Sequence, residues 1–309
     1  VGSCLVRHLL DEGFPVVAAL RQASTATPRN GLAFVSRELA ADTDWLAALV
    51  GVDTVIHLAA RVHQLGEQPG ALSDGRYDEV NRAATLRLAR DAVLAGVRRF
   101  IFVSSIKVNG DWTRPGRPFR ADDPPAPTDA YARSKAVAEQ QLLALMAETG
   151  LEVVIIRPPL VYGPGVKANV ARLLDVLARG VPLPLGGVRH NRRSLVAVEN
   201  LVDLLTLCIS APQAVGATLL VSDDEDLSTV ELLELLSEGL GRKARLVPIP
   251  SVWLERGARL LGRGELAQRL CGSLQVDIQP TKTLLDWRPP YSGRSALRAL
   301  GAQRAQATC

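Results

Sequence analysis

Residues 99–105 read RFIFVSS, residues 131–149 read YARSKAVAEQQLLALMAET, and residues 151–157 read LEVVIIR. The first and last runs are short, apolar and rich in β-branched or aromatic residues, as buried strands are. The middle run is long, places Ala, Leu and Met on one side with Glu139, Gln140 and Gln141 nearby, and stops at Gly150, as a helix does. A strand, a helix of about five turns and a second strand, with no hairpin signal, specify parallel strands joined by a crossover.

The same alternation extends outward. Ser3 to Glu12 is helix-like, Gly13 closes a turn, and Phe14 to Arg21 reads as a strand; residues 22–31 are polar and hold Pro and Gly, so they read as loop. Asp44 to Val50 is a short helix, and VDTVIHLA (52–59) is a near-continuous apolar run expected to be a buried parallel strand. Tyr77 to Ala95 is helical and ends at Gly96; Ile106 to Ala130 is a long proline-bearing loop. The expected fold is α/β, a Rossmann-like doubly wound parallel sheet covered on both faces. The last third changes character. Helical stretches are expected at 169–179, 198–211, 228–240 (with Ser228 and Glu231 at capping-box spacing), 251–261, 265–270, 281–286 and 292–300, with one short strand at 217–221. This predicts a nucleotide-binding domain over 1–165 and a smaller, mostly helical substrate lobe over 166–309, parts of which return to the first domain.

Composition narrows the function. The 309 residues are 47% hydrophobic, enough for a substantial core, and Gly plus Pro number 44 (25 and 19), far from a disordered composition. A net charge of +4 and only 4% aromatic residues give no basic, aromatic-studded stripe for nucleic acid. Cys4, Cys208, Cys271 and Cys309 show no metal-ligand spacing, and His8, His57, His63 and His190 form no cluster. No metal site is expected, a reducing cytoplasmic compartment is the default, and no run reads as a membrane span or signal peptide.

Tyr131 and Lys135 stand at i and i+4, so a helix stacks them on one face. A free tyrosine with a pKa of about 10 is a poor base at neutral pH, and an ammonium held beside it is expected to favour the phenolate. Ser105 ends a strand of the parallel sheet, where ligands bind, and its hydroxyl can orient a substrate oxygen toward Tyr131. A lone Tyr-x-x-x-Lys is a weak signal; with Ser105 on the preceding strand it points to hydride chemistry at a hydroxyl or keto carbon.

Six segments sharpen this: VGSCLVRHLL at the start, GVDTVIHLAA (51–60), FIFVSSIKVNG (100–110), YARSK (131–135), IIRPPLVYGPG (155–165) and RRSLVAVENLVDLL (192–205). In order and content the chain resembles the extended short-chain dehydrogenases/reductases of the NAD-dependent epimerase/dehydratase group, which act on nucleotide sugars. The resemblance implies a catalytic set of Ser105, Tyr131 and Lys135. It implies that Gly2 is the last glycine of the phosphate-binding turn, with the first strand and first two glycines upstream of Val1. Leu58, Ala59, Ala60, Asn81, Pro158 and Leu160 would flank the cofactor, together with Tyr131 and Lys135. Asn169 and Arg193 would serve the sugar-nucleotide diphosphate, since a guanidinium fork suits phosphate. Where many NAD-binding members carry an acid after the second strand, this chain has Leu20 and Arg21. Arginine accommodates the extra phosphate of NADP and Glu38 can still position adenosine, so NAD and NADP both stand. After Ser105, Lys107 and Asn109 would reshape the mouth of the sugar pocket, in a pattern that also resembles 4-keto-6-deoxy-sugar reductases. The resemblance thus implies a UDP-sugar C4 epimerase working through a 4-keto intermediate. The alternatives are an NAD(P)H-dependent reductase of a UDP-4-keto-6-deoxy sugar in polysaccharide biosynthesis and, third, a non-catalytic nucleotide-binding protein. It also implies a homodimer built on the 77–95 and 131–149 helices.

Overall fold

The computed structural model describes residues 1–22, 31–62, 70–165, 169–260, 262 and 264–306. In chain order the first part runs α1 (Gly2–Asp11), β1 (Val16–Leu20), β2 (Leu32–Ser36), α2 (Leu46–Leu49), β3 (Thr54–His57) and α3 (Ala71–Asp78). A π-helical turn, Glu79–Ala83, passes directly into α4 (Ala84–Leu94), followed by β4 (Arg99–Val103), a 3-10 turn at Ile106–Val108, α5 (Ala130–Thr149) and β5 (Glu152–Arg157). Then come β6 (Leu160–Tyr162), α6 (Asn169–Ala178), β7 (Arg193–Ala197), α7 (Val198–Ser210), β8 (Thr218–Leu220) and β9 (Asp226–Leu227). The chain closes with α8 (Thr229–Gly239), α9 (Ser251–Leu260), α10 (Gly264–Cys271), α11 (Gln279–Leu285) and α12 (Gly293–Gln306).

Strands β3, β4, β5 and β8 form a four-stranded sheet, all parallel, with Ile101 opposite Val154 and Ile155 opposite Thr218. Side-chain alternation assigns the two faces. Phe100, Phe102, Val153 and Ile155 join Leu88, Ala89, Ala92 and Leu142 of α4 and α5, while Ile101, Val154 and Ile156 join Leu5 and Leu9 of α1 and Leu201, Leu204 and Leu205 of α7. Both faces are therefore covered, and the central strands can be apolar throughout. The start of β4 is tied to the end of α7 by Arg99, only 2% exposed, whose guanidinium donates to the carbonyls of Cys208, Ile209 and Ala211 and meets Glu152 at 2.8 Å. These are the carbonyls that a helix C-terminus leaves unpaired.

Several expectations are corrected. Strands β1 and β2 pair in parallel as a separate two-stranded sheet, and residues 32–36 had not been expected to form a strand. The 54–57 run is the edge strand of its sheet and half-buried save for His57. The helix expected from Tyr77 begins at Ala71 and contains the π turn. The lobe carries a small sheet, β6-β7-β9, that the sequence did not announce; β6 and β7 are parallel, and β7 and β9 antiparallel. Its core is Leu-rich: Leu174 and Leu177 of α6, Leu233 and Leu236 of α8, and Leu297 and Leu300 of α12. The expected capping box starts α8, with Ser228 Oγ accepting from Glu231 N and Glu231 accepting from Ser228 N. The long 106–130 loop is held to the lobe by Thr113 N donating to Ser273 O and Phe119 N to Gln275 O, both 2.9 Å. Among the described residues no helix is long and apolar enough to cross a membrane.

Candidate active site

Ser105 follows β4 by two residues in extended conformation and caps the 3-10 turn, its Oγ accepting from Lys107 N at 3.2 Å. Across from it α5 begins. Asp129 is the N-cap, its carboxylate accepting from Ala132 N at 2.7 Å, which sets Tyr131 in the first turn. The hydroxyls of Ser105 and Tyr131 are hydrogen-bonded. The Tyr131 ring meets Tyr77 edge-on at 6.4 Å, and the Arg61 guanidinium lies 5.6 Å above the Tyr77 ring.

One turn along α5, Lys135 is only 1% exposed. Its Nζ donates to Val103 O at 2.8 Å and sits 4.2 Å from the centre of the Phe102 ring. Burial pulls Lys135 down to about 7, against the opposing pull of the Glu139 carboxylate. Burial pushes Tyr131 up to about 12, the Ser105 hydrogen bond holding it back and the Asp129 carboxylate adding to the rise. Desolvation thus disfavours the charged form of each.

Asn81, fully buried, lies in the π turn, a distortion frequent at functional sites. Its side chain accepts from Arg61 N at 2.8 Å and donates to Arg61 O and Ser134 Oγ, both at 3.0 Å; Ser134 Oγ in turn donates to Tyr131 O. The main chain of Asn81 accepts from Thr85 Oγ1, which contacts His57 Nε2 at 3.0 Å. His57 is buried, stacks on Phe102 and is pulled down to about 3, chiefly by desolvation and then by the charge of Lys135. Asn81, Ser134, Tyr131 and Ser105 thus share one polar network, with Lys135 one turn along α5.

The remaining candidates fall around it. Gly2 opens α1 against Leu58, whose Cδ1 lies 3.7 Å from where a Cβ on Gly2 would sit; Leu58, Ala59 and Ala60 leave β3 at its carboxyl end. Arg21 and Glu38 are exposed just past β1 and β2. Pro158 O accepts from Ile106 N at 3.0 Å, so the segment after β5 runs beside Ser105, and Leu160 is partly exposed in β6. Lys107 is paired, with Asp129 at 2.5 Å and Asp111 at 3.3 Å. Asn109 is buried, accepting from Arg157 at 3.0 Å and donating to Arg120 O at 2.8 Å, so it braces the loop from inside. Arg193 in β7 donates to Gly272 O at 3.1 Å, and burial lowers its pKa. The backbone of Asn169 opens α6; its side chain lies outside the described residues. Asp129, Ser134 and Glu139 were not singled out from sequence. The signal for Asp129 was there, an Asp two residues before Tyr131 at a helix start. Glu139 forms a buried pair with Arg157 at 2.6 Å. Among the described residues no three His, Cys, Asp or Glu side chains are grouped to hold a metal ion.

A dinucleotide fits this arrangement. The first turn of α1 carries no acidic residue and no side-chain cap on its amides, and the carboxyl ends of β1, β2 and β3 hold Arg21, Glu38 and Leu58–Ala60.

The profile of the NAD dependent epimerase/dehydratase family matches residues 1–221. The UDP-glucose 4-epimerase of Vibrio cholerae is 44% identical over 296 residues, spanning 94% of this chain and 88% of that protein. The 2-alkyl-3-oxoalkanoate reductase of Stenotrophomonas maltophilia is 28% identical over 326 residues, spanning 99% and 96%. Among solved structures, MoeE5 in complex with UDP-glucose and NAD superposes with a TM-score of 0.77 at 25% identity, covering 100% of this chain and 96% of that one.

Proposed function

The chain belongs to the NAD dependent epimerase/dehydratase family, and on that footing we propose that it is an NAD(P)-dependent epimerase acting at C4 of a UDP-sugar through a transient 4-keto intermediate. The observation that carries this is the hydrogen-bonded pair of Ser105 and Tyr131 at the carboxyl end of β4, with Lys135 one turn along α5. NAD, when bound, supplies the hydride acceptor and donor, and Gly2, Arg21, Glu38, Leu58, Ala59, Ala60, Asn81, Pro158 and Leu160 are the residues that would hold it. Tyr131 takes the C4 hydroxyl proton as the C4–H bond breaks and returns it after the keto sugar has turned over. Ser105 bridges the sugar oxygen and the phenol, and Lys135 binds cofactor hydroxyls and adds positive charge near Tyr131 in its protonated form. Arg193 and Asn169 serve the diphosphate.

The cofactor part is residues 1–165, completed by β8 and α7, and the substrate part is the rest of 166–309. A homodimer through α4 and α5 is supported by two apolar side chains facing solvent there, Leu94 at 74% and Val137 at 38% exposed. We place the enzyme in the cytoplasm, where nucleotide sugars are made. The test is to incubate the purified full-length protein, with NAD present, with a UDP-hexose and with a UDP-4-keto-6-deoxy sugar. Interconversion of C4 epimers without net change in NADH supports the reading; stoichiometric consumption of NAD(P)H by the keto sugar alone replaces it with the reductase.

A further inference from the structure

Lys107 joins the two halves of the candidate site. On one side its own backbone N–H donates to Ser105 Oγ, so the residue belongs to the turn that aims that hydroxyl. On the other its ammonium, a quarter exposed, lies 2.5 Å from Asp129, the carboxylate that caps α5 two residues before Tyr131. A second carboxylate, Asp111, completes the clamp at 3.3 Å and is itself held by a hydrogen bond from Thr128, which precedes Asp129. The pairing joins residues 22 positions apart in sequence at the point where the Ser105 turn and the Tyr131 helix must meet.

We propose that Lys107 is a positioning residue, which locks the Ser105 turn onto the N-cap of the Tyr131 helix and neutralises Asp129 beside the phenol. The inference rests on the acid–base role given to Tyr131 above, and it replaces the contact with the sugar pocket that sequence resemblance assigned to Lys107. Lys107 meets Asp129 in an ion pair, and the other groups around Tyr131 have contacts of their own. Ser105 is neutral, the Tyr77 ring is edge-on with Arg61 above it, Lys135 is turned to Val103 O and Phe102, and Arg133, at the same helix start, donates to Thr128 O at 3.2 Å and meets Asp74 at 3.3 Å. Asp129 is the carboxylate that raises Tyr131, and Lys107 lies against it.

The experiment is the pH profile of kcat and kcat/KM for the full-length enzyme and for Lys107→Met, Lys107→Arg, Asp129→Asn and the Lys107→Met/Asp129→Asn pair, with Tyr131→Phe as control. Asn caps a helix about as well as Asp, so Asp129→Asn removes the charge and keeps the helix start. Lys107→Met is expected to move the basic group's apparent pKa upward by roughly half a unit or more, as uncovering a nearby like charge does. Lys107→Arg is expected to restore the profile, and Asp129→Asn in the Lys107→Met background to return the pKa to or below its starting value. A profile unmoved in Lys107→Met, with KM for the UDP-sugar raised instead, overturns the proposal in favour of a substrate contact. So does a Lys107→Met effect that Asp129→Asn leaves untouched. Undiminished turnover in Tyr131→Phe sinks the acid–base reading itself, and the inference with it; a dead Tyr131→Phe with an unmoved Lys107→Met profile sinks the inference alone.

Discussion

Replacing Lys135 by Met should destroy turnover and stabilise the protein, and the second effect should fade as pH rises. Lys135 is 1% exposed and burial brings it from 10.5 to about 7. In the unfolded chain the ammonium is fully charged near neutral pH; in the fold it is close to half titrated. Linkage between these two values makes the buried lysine cost about 4 kcal/mol at about pH 7. Met fills much of the same volume with no charge to desolvate. Against the gain stand the loss of the hydrogen bond to Val103 O and of the ammonium over Phe102, together about 2 kcal/mol. The net expectation is a stabilisation of about 2 kcal/mol, read in a thermal scan as a rise in Tm of roughly 5 °C.

The sign fixes the pH dependence. A group whose folded pKa is depressed loses its penalty as pH climbs toward the unfolded value, so the wild type gains stability between about pH 7 and its ordinary lysine value near 10, while Lys135→Met does not. Thermal melts of the two proteins should draw together as pH rises, meet near about pH 9 and leave the wild type the more stable above it. A variant less stable than wild type near neutrality, or a gap that stays constant with pH, would refute the claim that Lys135 is held against its own desolvation.

Three further outcomes follow from the same geometry. Glu139→Gln leaves the Arg157 guanidinium, buried beside it, without its counter-charge, and should lower the unfolding free energy by about 3 kcal/mol in urea titrations. His57, pulled down to about 3, is neutral in the fold while an unfolded histidine charges below about 6.5, so its contribution is present above that pH and is lost as pH falls toward its folded value. By about pH 5 the loss is about 2 kcal/mol, and His57→Gln, which can still meet Thr85, should flatten that part of the acid limb in chemical denaturation. Gly301→Ala puts a methyl inside contact distance of Leu236 O where α8 and α12 cross, and should cost roughly 2 kcal/mol in the same assay with the acid limb unchanged.

The sequence made the central sheet legible because β4 and β5 are buried on both faces, and a run such as RFIFV has few other places to go. It hid β2, β6 and β9 for the opposite reason, and β7, though buried at four of its five residues, because it runs directly into α7. Strand β2 alternates weakly between half-buried and exposed, and β9 is two residues long, defined by the antiparallel pairing of Asp226 and Leu227 with Ser194 and Arg193 of β7 rather than by any local pattern. The π turn was illegible too: what Asn81 gains there is bonding to Arg61 and Ser134, partners 20 and 53 residues away. The spacing of Tyr131 and Lys135 told which helical face they share. It could not tell that Val103 and Phe102, on a strand about thirty residues earlier, would draw the ammonium inward.

That last point changes what the pair can be expected to do. A Tyr and a Lys one turn apart in water would titrate with mutual help, the ammonium favouring the phenolate. Here the ammonium is enclosed and the phenol half-buried, and desolvation moves the phenol up to about 12 and the ammonium down to about 7, each away from its charged form. At neutral pH the resting pair is therefore a protonated phenol beside a half-charged amine. Among the described residues the Ser105 hydroxyl, which bonds Tyr131, acts toward phenolate, and Lys107 lies against the opposing Asp129 charge. Neither spans the gap of about five units between such a phenol and neutrality, which is about 7 kcal/mol. We expect positive charge near Tyr131 to be completed on ligand binding, by fuller protonation of Lys135 as well as by what enters beside it. The proton that Lys135 gains on binding is a measurable consequence: calorimetric titration of NAD in buffers of different ionisation enthalpy, near neutral pH, should show net proton uptake in the wild type and none in Lys135→Met. Equal uptake in both proteins would mean that the charge favouring the phenolate comes from elsewhere.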